Sequence, residues 1–154
     1  MATRDHWIVT ADERQAHLYS CRKVAGRQWH LDRKRSLESR WEHYHEEHRP
    51  SALGRGPTAN AAQHFASIGH EPEEEHLRFA RDVVEWLPRA MEEFGIDHIR
   101  LFAASRFLGL LRKELGALGA QVELHESELT RLQAHELATH AAIIQALEPH
   151  IATR

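Results

Sequence analysis

Between Trp7 and Asp32 the chain shows three short strand-like runs, in two of which apolar and polar residues alternate, the period of a strand with one face on a core. Trp7-Ile8-Val9-Thr10-Ala11 is β-branched and aromatic, and Asp12-Glu13-Arg14 is a polar break in which Asp12 is placed to cap a turn. From Gln15 to Cys21, Ala16, Leu18 and Ser20 alternate against His17, Tyr19 and Cys21. Ala25-Gly26-Arg27 predicts a turn, and Gln28 to Asp32 alternates again. Three short runs with short breaks predict an antiparallel meander that holds Trp7 and Trp29.

Residues 33–71 show no sustained period and read as a long loop, with a short helix expected around Leu37 to His48. Stretches of this length inside a domain usually carry function or are disordered. The second half alternates helices and strands. Pro72 and Glu73-Glu74-Glu75 suit a helix start. Leu77, Ala80, Val84, Leu87, Met91 and Phe94 then make one helical face that ends at Gly95. Pro88 is expected to kink or split that helix. Ile99 to Ala103 predicts a buried strand. Ser105 is read as the cap of a helix with Phe107, Leu108, Leu111 and Leu115, and Val122 and Leu124 mark a further strand. Thr130 with Gln133 reads as a capping box for a last helix through Leu147, stopped by Pro149. A strand-helix-strand unit from Ile99 to Leu124 implies a parallel crossover. The expected fold is therefore α/β, a mixed sheet flanked by helices, in one domain over residues 1–154.

Composition narrows the class. Hydrophobic residues make up 42% and charged residues 28%, a globular balance. No apolar run reaches the roughly 20 residues a bilayer span needs. The start, Met1 to His6, shows no apolar signal core, so a cytoplasmic protein with no membrane partner is expected. Cys21 is the single cysteine, which excludes an internal disulfide and a cysteine-built zinc site. Histidine is the outlier at 14 residues. The formal charge of −3 is counted with histidine neutral, so mild acid carries the chain through neutrality. The scatter of these histidines reads as a compositional bias.

Several segments together resemble a known family. They are Trp7-Ile8-Val9-Thr10-Ala11-Asp12, Ala16-His17-Leu18-Tyr19, and Leu101 through Ala104-Ser105-Arg106-Phe107-Leu108-Gly109-Leu110-Leu111-Arg112. The chain resembles the bacterial family labelled "protein required for attachment to host cells", with Ala104-Ser105 standing where members often carry proline. That family is similar in turn to the middle domain of archaeal and eukaryotic class-1 peptide-release factors and of Pelota-type rescue factors. The resemblance implies a ribonuclease H-like fold of the kind found in translational machinery components. It also implies a long loop between the third strand and the first long helix. In release factors that loop carries Gly-Gly-Gln. Here the corresponding stretch holds Gly54-Arg55-Gly56 and then Gln63, so release catalysis is not carried over.

Charge is uneven along the chain. From Arg22 to Arg55 basic residues exceed acidic ones by four, and from Glu73 to Phe94 acidic residues exceed basic ones by four. Arg33, Lys34, Arg35, Arg40, Trp41 and Arg49 are candidate RNA contacts, guanidiniums for phosphates and an indole for base stacking. A solvated loop with docked aromatics is the plainer reading of the same residues. Gly54, Arg55 and Gly56 are a candidate anion cradle, and Ser105 with Arg106 a candidate anion site at a helix start. His43, His45 and His48 are the candidate metal ligands, with adventitious zinc or nickel the expected occupant and no cofactor expected.

The preferred expectation is a non-catalytic, release-factor-like domain that associates with ribosomes or tRNA-like structured RNA in stress or translation quality control. A cytoplasmic protein-interaction module in the host-attachment process is the alternative, and a metal-dependent hydrolase the third. No recognisable catalytic constellation marks an enzyme. A homodimer is left open as a partner arrangement.

Overall fold

The structure, a computed structural model, describes residues 5–26, 28–40 and 71–148. Three strands come first: β1 (His6–Ala11), β2 (Gln15–Val24) and β3 (Gln28–Glu38). They form the predicted antiparallel meander, and Trp7 and Trp29 lie in it. Asp12 does turn the chain: its Oδ1 accepts the amide hydrogens of Arg14 at 2.8 Å and Gln15 at 2.9 Å. The second turn places Gly26 at φ 75°, a left-handed conformation that costs glycine little.

Helices and parallel strands follow: α1 (Glu71–Phe94), β4 (Ile99–Ala103), α2 (Ser105–Leu115), β5 (Val122–Glu126), α3 (Ala134–Thr139) and α4 (Ala141–Leu147). The sheet order is β3-β2-β1-β4-β5. Strand β4 runs parallel to β1, and β5 parallel to β4. The protein is thus a mixed α/β fold with a five-stranded sheet flanked by helices.

Both sheet faces are covered, which explains why Ala16 through Cys21 are all buried despite their alternation. On one face Val9, Ala11, Ala16 and Leu18 pack beneath Phe79, Val83, Leu87, Phe107 and Leu111 of α1 and α2. On the other Ile8, Tyr19, Cys21, Leu31 and Phe102 pack beneath Leu129, Leu137, Ile143 and Leu147. Burial pushes the Cys21 thiol up to about 12, so it stays protonated and inert at neutral pH. Among the described residues no helix is long and apolar enough to cross a membrane.

Five expectations need correction. Strand β3 continues to Glu38, so the stretch from Arg33 to Glu38, expected as the start of a loop, is paired with β2. Cross-strand partners supply what local periodicity does not show there. Helix α1 runs unbroken through Pro88. Pro88 is exposed, so its missing hydrogen bond faces water, while Val83, Leu87, Ala90 and Met91 hold the adjoining turns on the sheet. The buried face of α1 also includes Phe79, Val83 and Ala90, which the predicted stripe omits.

Ser105 is the first helical residue of α2 and not its cap, since Ala104 occupies the cap position without a side-chain bond. The expected last helix is two short ones. The capping box is Gln133 with Glu136, and the chain breaks at His140, whose Nδ1 accepts the Ala142 amide hydrogen at 3.1 Å. Thr130 lies upstream of this box, and its hydroxyl is used elsewhere.

Candidate functional site

Ligand sites in open α/β sheets lie beyond the carboxyl ends of parallel strands, where the chain switches direction across the sheet. Those ends here are Ala11 of β1 and Ala103 of β4, because β1 pairs antiparallel with β2 on one side and parallel with β4 on the other. Asp12 follows β1, and Ser105 and Arg106 follow β4.

On the face beneath the C-terminal helices this region is polar. Thr10, His17, Tyr19 and Thr130 are all buried. The Thr130 hydroxyl donates to Asp12 Oδ2 at 2.6 Å. Both Asp12 oxygens are therefore engaged, and the carboxylate pins the C-terminal segment to the β1–β2 turn. The Thr10 hydroxyl lies beside Tyr19 and makes no hydrogen bond of good geometry.

His17 has partners at both ring nitrogens. Ser36 Oγ lies 2.8 Å from Nδ1, Arg33 Nη1 lies 3.4 Å from Nδ1, and Gln15 Oε1 lies 3.2 Å from Nε2. Burial and then the Arg33 guanidinium hold the imidazole below its ordinary value, against the pull of Asp12 and Glu38. Burial raises the Tyr19 phenol, again with Arg33 opposing. This cluster was legible only in part. The alternation of β2 places His17 on one face with Tyr19, but nothing local says that the face is covered.

The predicted basic triad does not form one patch. A bulge between Leu18 and Tyr19 on the β2 side pairs them with Arg35 and Arg33, leaving Lys34 as the extra residue of β3. The phase of β3 flips there. Arg33 reaches His17 on the C-terminal helix side, whereas Arg35 pairs with Glu93 and lies over Phe94 of α1, 5.0 Å from the ring centre. Lys34 pairs with Asp32 at 2.9 Å. A bulge and a lysine on an edge strand also blunt it against pairing with another strand.

Arg106 lies 3.6 Å from Glu73, with both side chains 69% exposed, an arrangement that contributes little to stability. Ser105 makes no capping bond. Arg40 lines a cleft of about 720 Å³ between the end of β3 and α1, over Phe79 and with Arg81, Asp82, Glu85 and Glu114. Arg81 and Glu114 pair across it at 3.2 Å. The remaining candidates, Trp41, His43, His45, His48, Arg49, Gly54, Arg55 and Gly56, lie outside the described residues. Among the described residues no group of three or more His, Cys, Asp or Glu side chains is placed to hold a metal ion.

No curated protein matches the chain. Two solved structures from Aquifex aeolicus are similar to it in backbone. The type II variant of the Ppx/GppA phosphatase is 13% identical, with 80% of this chain and 36% of the enzyme covered at a TM-score of 0.41. The PPX-GPPA enzyme is 14% identical, with 79% and 36% covered at a TM-score of 0.40. The chain spans only 36% of the length of those enzymes, and a likeness this distant carries no argument about fold or activity. The family resemblance read from the strand and helix segments is sharper, because the family described as "Protein required for attachment to host cells" matches residues 7–141. The match takes in the whole sheet and both long helices, and the chain belongs to that family.

Proposed function

We propose that this host-attachment family protein works as a non-catalytic protein-interaction module, acting from the cytoplasm. The cleft beside Arg40 carries the reading. It sets charges of both signs, Arg40 and Arg81 with Asp82 and Glu85, beside the half-buried Val84. Such a lining suits a polypeptide segment with its own mixed charges and an apolar anchor. A polyanion calls for a surface of one sign. The engaged state of Asp12 and the split basic triad point the same way.

The test is attachment itself. In a deletion strain, an Asp82→Arg, Glu85→Arg double variant is expected to restore attachment to host cells at least tenfold less well than the wild-type chain, with thermal unfolding unchanged. Full restoration by a folded variant overturns the reading.

A release-factor-like domain on ribosomes or tRNA-like RNA, with a ribonuclease H-like sheet, is the second reading. Two observations favour it. The strand order is three antiparallel strands followed by two parallel ones. Arg33 and Arg40 are exposed and have no acidic partner within ion-pair distance among the described residues. It requires saturable co-sedimentation with ribosomes that weakens steeply with salt and with Arg33→Gln, Arg40→Gln. Under the first reading no such binding occurs.

A further inference from the structure

We propose that the outer edge of β5 pairs antiparallel with β5 of a second copy of this chain, joining two sheets into one across a two-fold axis at Leu124. The backbone is set for it. The Ile99 N–H donates to the Gln121 carbonyl and the Ser127 N–H to the Ala103 carbonyl, both at 2.9 Å. Bonding residues alternate along a parallel ladder, so Glu123 and His125 also bond inward to β4. Val122, Leu124 and Glu126 therefore turn their N–H and C=O groups outward, and among the described residues β5 is the last strand on that side. The opposite edge, β3, is blunted by its bulge and Lys34. Strand β5 contains no bulge, proline or lysine.

The side chains select the partner and the register. Val122 and Leu124 lie on the α1 and α2 side, and Leu124 is half-buried at the edge. Glu123 and His125 share the other face, where His125 stacks on Phe102 at 4.9 Å. His125 Nε2 donates to Glu123 Oε2, and Arg100 Nε lies 3.6 Å from the same oxygen. Glu-Leu-His is complementary to itself when reversed. An axis at Leu124 makes the two Leu124 residues a hydrogen-bonded pair and sets each Glu123 directly opposite His125 of the second copy. That flanking pair is of the kind in which side chains approach most closely. The four side chains then form a square of alternating carboxylate and imidazole. An axis at Glu123 instead sets two carboxylates face to face, and one at His125 two imidazoles. A ladder this short makes a weak dimer, with a Kd on the order of 10–100 µM.

Sedimentation velocity of the full chain over a concentration series, with amide hydrogen exchange at the same concentrations, tests this. As the dimer forms, the Leu124 amide is expected to gain protection of about 5-fold or more, whereas the Glu123 and His125 amides, bonded to β4, are protected throughout. Glu123→His and His125→Glu each set like groups opposite one another at two symmetric places. Each is expected to weaken the dimer about 5- to 30-fold. The double exchange, Glu123→His with His125→Glu, restores the pairs in mirror order and is expected to bring the Kd back to within about 3-fold of wild type. Thermal unfolding of each variant separates loss of pairing from loss of fold, and the wild-type exchange pattern needs no variant at all. A chain that stays monomeric at about 1 mM, a dimer whose Leu124 amide gains no protection, or a folded double exchange as weak as the single substitutions each overturns the proposal.

Discussion

The two faces of the sheet are built on different physics. The face beneath α1 and α2 is mostly apolar, with Phe79 stacked on Phe107 at 6.0 Å over Val9, Ala11 and Leu18. Its strength is area removed from water, which scales with contact and demands no particular geometry. The face beneath α3 and α4 is thinner, and polar groups are set into it. Helices of six and seven residues cannot bury much on their own. They are instead held at points: Thr130 on Asp12, and Glu148 on Trp29 Nε1 at 2.6 Å and on Lys23 at 3.0 Å. Such points contribute little net energy each but fix where the cover sits. One face therefore supplies stability, and the other supplies position and sensitivity to pH.

The largest test of that contrast is a pair of truncations. Phe107 and Ile143 are both fully buried, one on each face. Phe107→Ala is expected to cost about 3–5 kcal/mol and to lower the global unfolding transition. Ile143→Ala is expected to cost about 2 kcal/mol, with faster hydrogen exchange confined to residues from Leu129 to Leu147. If Ile143→Ala accelerates exchange across all five strands equally, the two faces are one cooperative unit and the comparison fails.

A smaller effect sharpens the role of the pins. Thr130→Val keeps shape and removes the bond to Asp12, leaving Oδ2 without its donor. A loss of about 1–2 kcal/mol is expected in denaturant titrations, with the β1–β2 turn amides of Arg14 and Gln15 still protected. Equal loosening of turn and C-terminal segment would show that Asp12 holds the turn only through Thr130.

The smallest effect is one of pH. Hydrogen bonds from Trp29 and then Lys23 hold the Glu148 carboxyl below 4.5. A depressed carboxylate lends its stabilisation above the unfolded value and loses it as pH falls through the folded one. The Trp29 indole hydrogen should accordingly leave its bonded NMR position only below about pH 4.5. In Glu148→Gln the strong pH step at that resonance should disappear. A step near pH 6 would assign the tether to a histidine instead.

How much was legible follows the same division. The meander, the long helices and the β4–α2–β5 unit are written in local periodicity, turn residues and caps, because each buries a stripe its own spacing defines. The distal part of β3 was not, because Arg33 to Glu38 is a strand only through its pairing with β2 across a bulge. The split of the C-terminal helix was missed for a related reason. The spacing of Thr130 and Gln133 imitates a capping box, but the Thr130 hydroxyl finds a distant carboxylate.

The amino-acid sequence by itself determined the class of fold, the family and the order of its elements, since apolar period and turn chemistry are local and additive. Only the tertiary structure decided which charges stand together. A one-residue bulge sends Arg33 and Arg35 to opposite faces, and burial beside Arg33 holds His17, one of 14 histidines, below its ordinary pKa. Charge and protonation depend on distance and on exclusion of water, and neither quantity is a property of neighbours along the chain.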